Sequence, residues 1–327
     1  MGGLAKRLYR NGKSGKIVIR LYANSEIDKA KWDSCVVDSN NALIYAYSWY
    51  LDIVSPNWVA LIKGDYQVVF PLPAKKKLGV SYISQPLFTQ QLGLFSSENS
   101  NNVDAFLRAI PKKIWMRSLQ IHNQLENAKT KDNFELDISA AIEKIRKKYS
   151  QNVKRNLKKP AQHNLQVKKC ESRALIELFK ENKGKVVKEL DKKAYSILSE
   201  LLDKIQQKEK GKCFGAYKER ELISAVFFSN CLGRSVYLFS ASNSSAKEIG
   251  ANHFLIDNYI SLFCNLIISF LIELVIFSRS LYCLFSVIIG LPKFTTILLK
   301  FFLKFYLSMD QSLTTFDHIL FFQIAAH

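Results

Sequence analysis

The chain has 327 residues, 48% of them apolar, and a formal net charge of +19 from 47 Lys and Arg against 28 Asp and Glu. This length and apolar content exclude a disordered chain and suit one large folded unit or two smaller ones. Residues 261–327 hold four basic and three acidic side chains, so +18 of the charge lies on residues 1–260 and favours anionic partners there, among them RNA, nucleotide phosphates, coenzyme A and anionic lipid.

Residues 1–15 read as a basic, flexible leader. Gly12-Lys13-Ser14 has the ending of a phosphate-binding loop, but Arg7 stands where that motif needs its first glycine, and no strand leads into it. Next come a strand over 16–22, a helix over 25–37 with Ser25 as its cap, and a second helix over 43–54. Strands at 58–63 and 66–72 face each other across Gly64-Asp65, a two-residue turn, and Pro71 and Pro73 end the second of them. The lysine run 75–77 leads to a strand at 80–84, a polar and aromatic loop at 85–93, a helix at 103–110 and a strand at 113–121. The order is strand, two helices, hairpin, strand, helix, strand.

Residues 139–160 form one basic amphipathic helix on a helical wheel. Ile142, Ile145, Tyr149, Val153 and Leu157 make its apolar stripe, and seven Lys and Arg take the opposite face. Tyr149, Asn152 and Asn156 share a border of the stripe, where three polar tips would converge on a ligand. The alternative is a solvated charged face with asparagines at a packing edge.

The earlier order then recurs: a strand at 165–169, helices at 172–182 and 193–206, a hairpin at 212–217 and 221–230, and a strand at 235–240. In this last strand Val236 and Leu238 fall on one face and Tyr237 and Phe239 on the other. A small polar loop follows, then a helix from Gly250 whose stripe is Ile249, His253, Ile256 and Ile260. A helix start after a small-residue loop suits a phosphate, and Gly250 and Ala251 would let a ligand approach the backbone; an ordinary strand-to-helix connection has the same pattern.

The six cysteines are scattered without a C-x-x-C pair and no secretory leader is visible, which fits a reducing cytoplasm. The five histidines are dispersed, so no metal site is expected.

Three stretches carry a family resemblance: Tyr149-Ser150-Gln151-Asn152-Val153-Lys154-Arg155-Asn156-Leu157-Lys158-Lys159, Gln85-Pro86-Leu87-Phe88-Thr89-Gln90-Gln91-Leu92-Gly93, and Ile249-Gly250-Ala251-Asn252-His253. Together they resemble bacterial proteins of the GNAT acyltransferase superfamily, in its FemAB-like branch, over about residues 16–260. The resemblance implies an α/β fold of two tandem GNAT-like halves with mixed, mainly antiparallel sheets flanked by helices. It divides the chain into a first half at 16–138, the basic helix at 139–160, and a second half at 161–270 that carries the donor loop and is incomplete. It also implies transfer of an acyl or aminoacyl group from acyl-coenzyme A or aminoacyl-tRNA, as co-substrate, to an amine, with no bound cofactor and no metal. In that superfamily the donor's pyrophosphate sits on the loop after the fourth strand, here Ser244 to Asn252, with Ser244, Ser245, Lys247, Gly250, Ala251 and Asn252 as donor-binding candidates. Of the family's R/Q-x-x-G-x-G/A pattern only Gly250 is a full match; Lys247 stands for the Arg or Gln and Ala251 is displaced by one position. Tyr149, Asn152, Arg155 and Asn156 are the substrate-binding candidates. Such chemistry needs a base and oxyanion donors, for instance the backbone N–H of a bulged strand near Ser240. Tyr237 and Glu248 are candidate bases by proximity alone.

The resemblance ends after Ile260. Residues 261–309 are dominated by Leu, Ile, Phe and Ser. Residues 261–278 with 281–291 have the length and apolarity of one or two membrane spans, so the chain would meet a membrane through 261–309; the alternative reading of the apolar tail, 271–327, is the product of a shifted reading frame in an AT-rich gene. In both cases 261–270 would still supply a fifth strand. Two other classes stay open beside the transferase: a non-catalytic protein that binds RNA or anionic lipid through the basic helix, and a membrane-anchored protein.

Overall fold

The computed structural model describes residues 18–97, 102–123, 125–126, 128–187, 190–264 and 321–324. The first half holds β1 (Ile19–Ala23), α1 (Lys29–Val37), α2 (Ser48–Val54), β2 (Val59–Lys63), β3 (Val68–Leu72), β4 (Ala74–Lys77), β5 (Val80–Ser84), α3 (Val103–Ala109) and β6 (Ile114–Ser118). β7 (Phe134–Asp137), α4 (Ile142–Lys147) and α5 (Gln151–Gln162) lead into the second half. There follow β8 (Gln166–Lys169), α6 (Ser172–Glu181), α7 (Lys192–Gln207), β9 (Gly211–Lys218), β10 (Glu221–Cys231), β11 (Arg234–Ser242), α8 (Ser244–Glu248), a helix over 251–264 (α9) and β12 (Phe321–Ile324).

The repeated order expected from sequence is present. β1-β2-β3 form an antiparallel sheet, and β4-β5-β6 form a second sheet in which β5 and β6 run parallel across α3. The second half has one continuous sheet in the order β7-β12-β11-β10-β9-β8. The difference lies at Pro73, which separates β3 from β4, whereas β10 runs unbroken through the equivalent length. Pro71 does not end β3 but sits inside it, opposite Ala60. β3 is an edge strand, where the missing N–H breaks no ladder.

α2 of the first half packs on α7 of the second, and one apolar core spans both. Trp32 and Trp58 meet edge to face there at 4.8 Å. Their indole N–H groups donate to Ala46 O and Asp52 Oδ1, which lets both rings be fully buried without an orphaned donor. The other face of the six-stranded sheet is covered by α4 and α9, with Tyr259 stacked on Phe228 at 3.6 Å.

Several sequence expectations need correction. Helix α1 is capped by Asp28, whose carboxylate accepts from Ala30 N and Lys31 N, and not by Ser25, which lies in a preceding 3-10 turn. The β2–β3 register pairs Lys63 with Val68, so that loop has four residues. The single helix expected over 139–160 is two, because the chain is extended at Ser150 and its hydroxyl accepts from Val153 N, starting α5 afresh. Residues 261–264, expected in a fifth strand, are helical. The strand beside β11 is instead β12, parallel to β11 and antiparallel to β7. All but the first four residues, 261–264, of the membrane-span reading lie outside those described. Among the described residues no helix is long and apolar enough to cross a membrane.

The loop 85–93 is fixed by Gln85, whose side chain donates to Thr89 O at 2.8 Å and accepts from Gln120 N at 2.9 Å. It ends at Gly93, where φ is +136° and a Cβ would lie 2.5 Å from His122 Cε1. Burial lowers the His122 pKa from 6.5 to about 4, so the folded protein keeps this ring neutral. The unfolded chain takes up that proton below pH 6.5. Stability is therefore complete above about pH 6.5 and falls on the order of 3 kcal/mol as the pH drops to about 4. Urea unfolding across this range checks it. His122→Gln should flatten the slope, and an equal slope in both proteins would contradict the assignment.

Candidate functional site

The hairpin of β10 and β11 turns at Leu232-Gly233, both with positive φ, the geometry of a tight two-residue connection. Five positions beyond Gly233, the register changes. Phe228 pairs with Tyr237 and Phe227 with Phe239, so Leu238 is a surplus residue, a β-bulge in β11. Pairing with β12 covers Ser235, Val236 and Tyr237 and, among the described residues, ends there, while β10 stays paired with β11 through Ser242.

An extra residue reverses the side-chain alternation beyond it. Tyr237 packs toward α9, against Phe228. Phe239, expected on the same face, lies on the opposite one, against Phe179 of α6 at 4.8 Å and Phe88 of the 85–93 loop at 6.1 Å. The bulge therefore brings that loop of the first half to the second half's strand.

Tyr237 Oη donates to Asn252 Oδ1 at 3.1 Å in the first turn of α9. Burial raises its pKa, so the phenol is neutral at pH 7. In that form the hydroxyl carries a proton and can donate a hydrogen bond. Glu248 is exposed at the end of α8, and it is its backbone carbonyl that accepts from Lys159 Nζ at 2.9 Å.

The loop expected at Ser244 to Asn252 is mostly helix. Asn243 caps α8 by accepting from Ala246 N at 3.0 Å, and Ser245 Oγ donates to the same oxygen at 2.9 Å. Ser244 and Lys247 are exposed and Ala251 is fully buried. Gly250 has φ +72°, and a Cβ on it would lie 2.5 Å from the carbonyl oxygen of Asn156. Its missing side chain thus admits the backbone of α5, where sequence reasoning reserved the space for a ligand.

That contact unites two of the predicted groups. Asn152 Oδ1 accepts from Arg155 Nη2 at 3.0 Å and Asn156 Nδ2 at 3.4 Å, one turn from Gly250. Tyr149 does not join them; its hydroxyl donates to Asp257 Oδ1 at 3.1 Å, and burial raises its pKa. Asp257, itself buried, is gripped by Arg146 at 3.0 and 2.6 Å, which ties α4 to α9. Sequence reasoning passed over this pair, although a lone carboxylate in the apolar run of α9 asks for a cation. His253, expected in the buried stripe of this helix, is half-buried beside Lys159, and burial and then that charge lower its pKa.

Two open clefts lie elsewhere, of about 480 Å³ between α6 and α7 and about 310 Å³ between β8 and α9. Among the described residues no group of three or more His, Cys, Asp or Glu is placed to hold a metal ion.

Gly250→Ala should cost at least about 2 kcal/mol, since it combines a left-handed backbone with an unyielding carbonyl. Urea denaturation measures this. A variant as stable as the parent would show that α5 does not press on Gly250.

No family model and no curated protein matches this sequence. Among solved structures it is similar to FemX, with a TM-score of 0.52 over 72% of this chain and 84% of that one, at 13% identity. A likeness at that identity is one of fold, and the chain has a mixed α/β, FemAB-like fold.

Proposed function

We propose that the chain transfers an acyl or aminoacyl group from an ester or thioester donor to an amine at the bulge of β11. The carrying observation is the surplus residue Leu238, which slips the pairing of β11 with β10 by one position. When an amine attacks an acyl carbonyl, negative charge develops on the carbonyl oxygen. A backbone N–H outside the ladder is a fixed donor for that charge, and it needs no reorganisation as the reaction proceeds. Tyr237, neutral at pH 7 and held by Asn252, is the donor we assign to the leaving oxygen or sulfur. The Phe88–Phe239 contact makes the 85–93 loop the wall we assign to the acceptor side.

Of the two donors, aminoacyl-tRNA is favoured over acyl-coenzyme A. The notch at Gly250, which a pyrophosphate would use, is filled by α5. The same helix exposes Arg155 and Lys158, suited to RNA phosphates. Lys154 is engaged with Lys147 O at 3.0 Å and belongs to the α4–α5 junction.

Incubation with aminoacyl-tRNA and a panel of primary amines, with amide products read by mass spectrometry, tests the reading. Tyr237→Phe should lower kcat by about 10²-fold with the fold intact. Arg155→Gln with Lys158→Gln should weaken donor binding and reduce its log–log salt slope by ~1.5 to 2. Salt-dependent RNA binding without any amide product would instead favour a non-catalytic RNA-binding protein. An unchanged rate for Tyr237→Phe would remove the proton-donor role.

A further inference from the structure

Cys170 follows β8 directly, and Cys213 lies on β9. The β8–β9 register pairs Lys169 with Phe214, so these cysteines occupy the next opposed pair of the ladder, and Cys170 N donates to Cys213 O at 3.1 Å. Opposed residues of an antiparallel pair have Cα atoms roughly 4.5 to 5.5 Å apart, within the span a disulfide bridges. The side chains face each other, with the two Sγ atoms 2.8 Å apart. The other described cysteines, Cys35, Cys231 and Cys264, are buried and have no such partner.

We propose that Cys170 and Cys213 form a reversible modification site, a dithiol that closes to a disulfide on reaction with a low-molecular-weight disulfide such as oxidised glutathione. This is independent of the acyl-transfer reading. The two sulfurs divide the work by exposure. Cys170 is partly exposed and meets the reagent; Cys213 is 2% exposed and does not. The contact with Cys170, and then burial, raise the Cys213 pKa, which keeps it a thiol until the second step.

In the first step the Cys170 thiolate attacks one sulfur of the reagent, its S–S bond breaks, and one glutathione thiolate leaves. In the second, Cys213 gives up its proton to that thiolate or to solvent and attacks Sγ of Cys170, expelling the second glutathione. The protein loses two hydrogens and two electrons, and the reagent becomes two thiols. The product ties the edge strand β8 and the start of α6 to β9, closing a loop whose ends are 43 positions apart.

The full-length protein is treated with oxidised glutathione, alkylated, digested and mapped by mass spectrometry. The expected product is a cross-link between the peptides of Cys170 and Cys213, with a mass loss of about 2 Da, no retained glutathione, and full reversal by dithiothreitol. Cys213→Ser should instead trap glutathione on Cys170. Thermal unfolding should rise by about 5 °C in the oxidised protein and stay constant in Cys213→Ser. Wild-type protein that accumulates glutathione on Cys170 without cross-linking, or in which both thiols remain open to alkylation, overturns the proposal.

Discussion

A single surplus residue governs the second half of this protein. Leu238 interrupts the pairing of β11 with β10 by one position, and that slip turns Phe239 to the face opposite Tyr237. Without it, both aromatic side chains would press on α9, and nothing on β11 would meet Phe88 from the first half. Bulges cost pairing and are kept where they re-aim a side chain or free a backbone group. Here the surplus residue re-aims the side chain of Phe239.

Helix α5 and the turn before it are held to the helices that follow this strand by contacts that leave little slack. Gly250 takes the backbone of Asn156, Lys159 reaches the carbonyl of Glu248, and Arg146 with Tyr149 grips Asp257 from the preceding turn. The apolar and hydrogen-bonded side of the α4–α5 segment thus faces α9, while Arg155 and Lys158 stay in water. Under the proposed reading, a basic surface held in place binds an anionic donor better than a mobile one, because less ordering is lost on binding.

The elements were largely legible, because strands such as 58–63 and 221–230 and helices such as 172–182 carry a burial period that survives folding. The bulge was legible only as an expectation near Ser240. Alternation assumes one residue per partner, and no local residue type marks Leu238 as the extra one. The break between α4 and α5 was hidden for a similar reason: a helical wheel continues smoothly through Ser150, whose competing role as a cap depends on Val153 N. Gly250 was recognised as special, but a glycine that admits a ligand and one that admits a helix read alike. The Arg146–Asp257 pair bridges 111 positions and has no local signature beyond a carboxylate in an apolar run.

The claim that the Leu238 bulge presents a donor to an acyl carbonyl is open to a direct measurement. Backbone amide resonances of the full-length protein would be followed while a non-reactive aminoacyl-nucleotide amide is titrated in. The account predicts that the N–H signals of Leu238 and Phe239 shift most, with Asn252 following through its bond to Tyr237. Saturable binding of the analogue that leaves the Leu238 and Phe239 amides unmoved would contradict it.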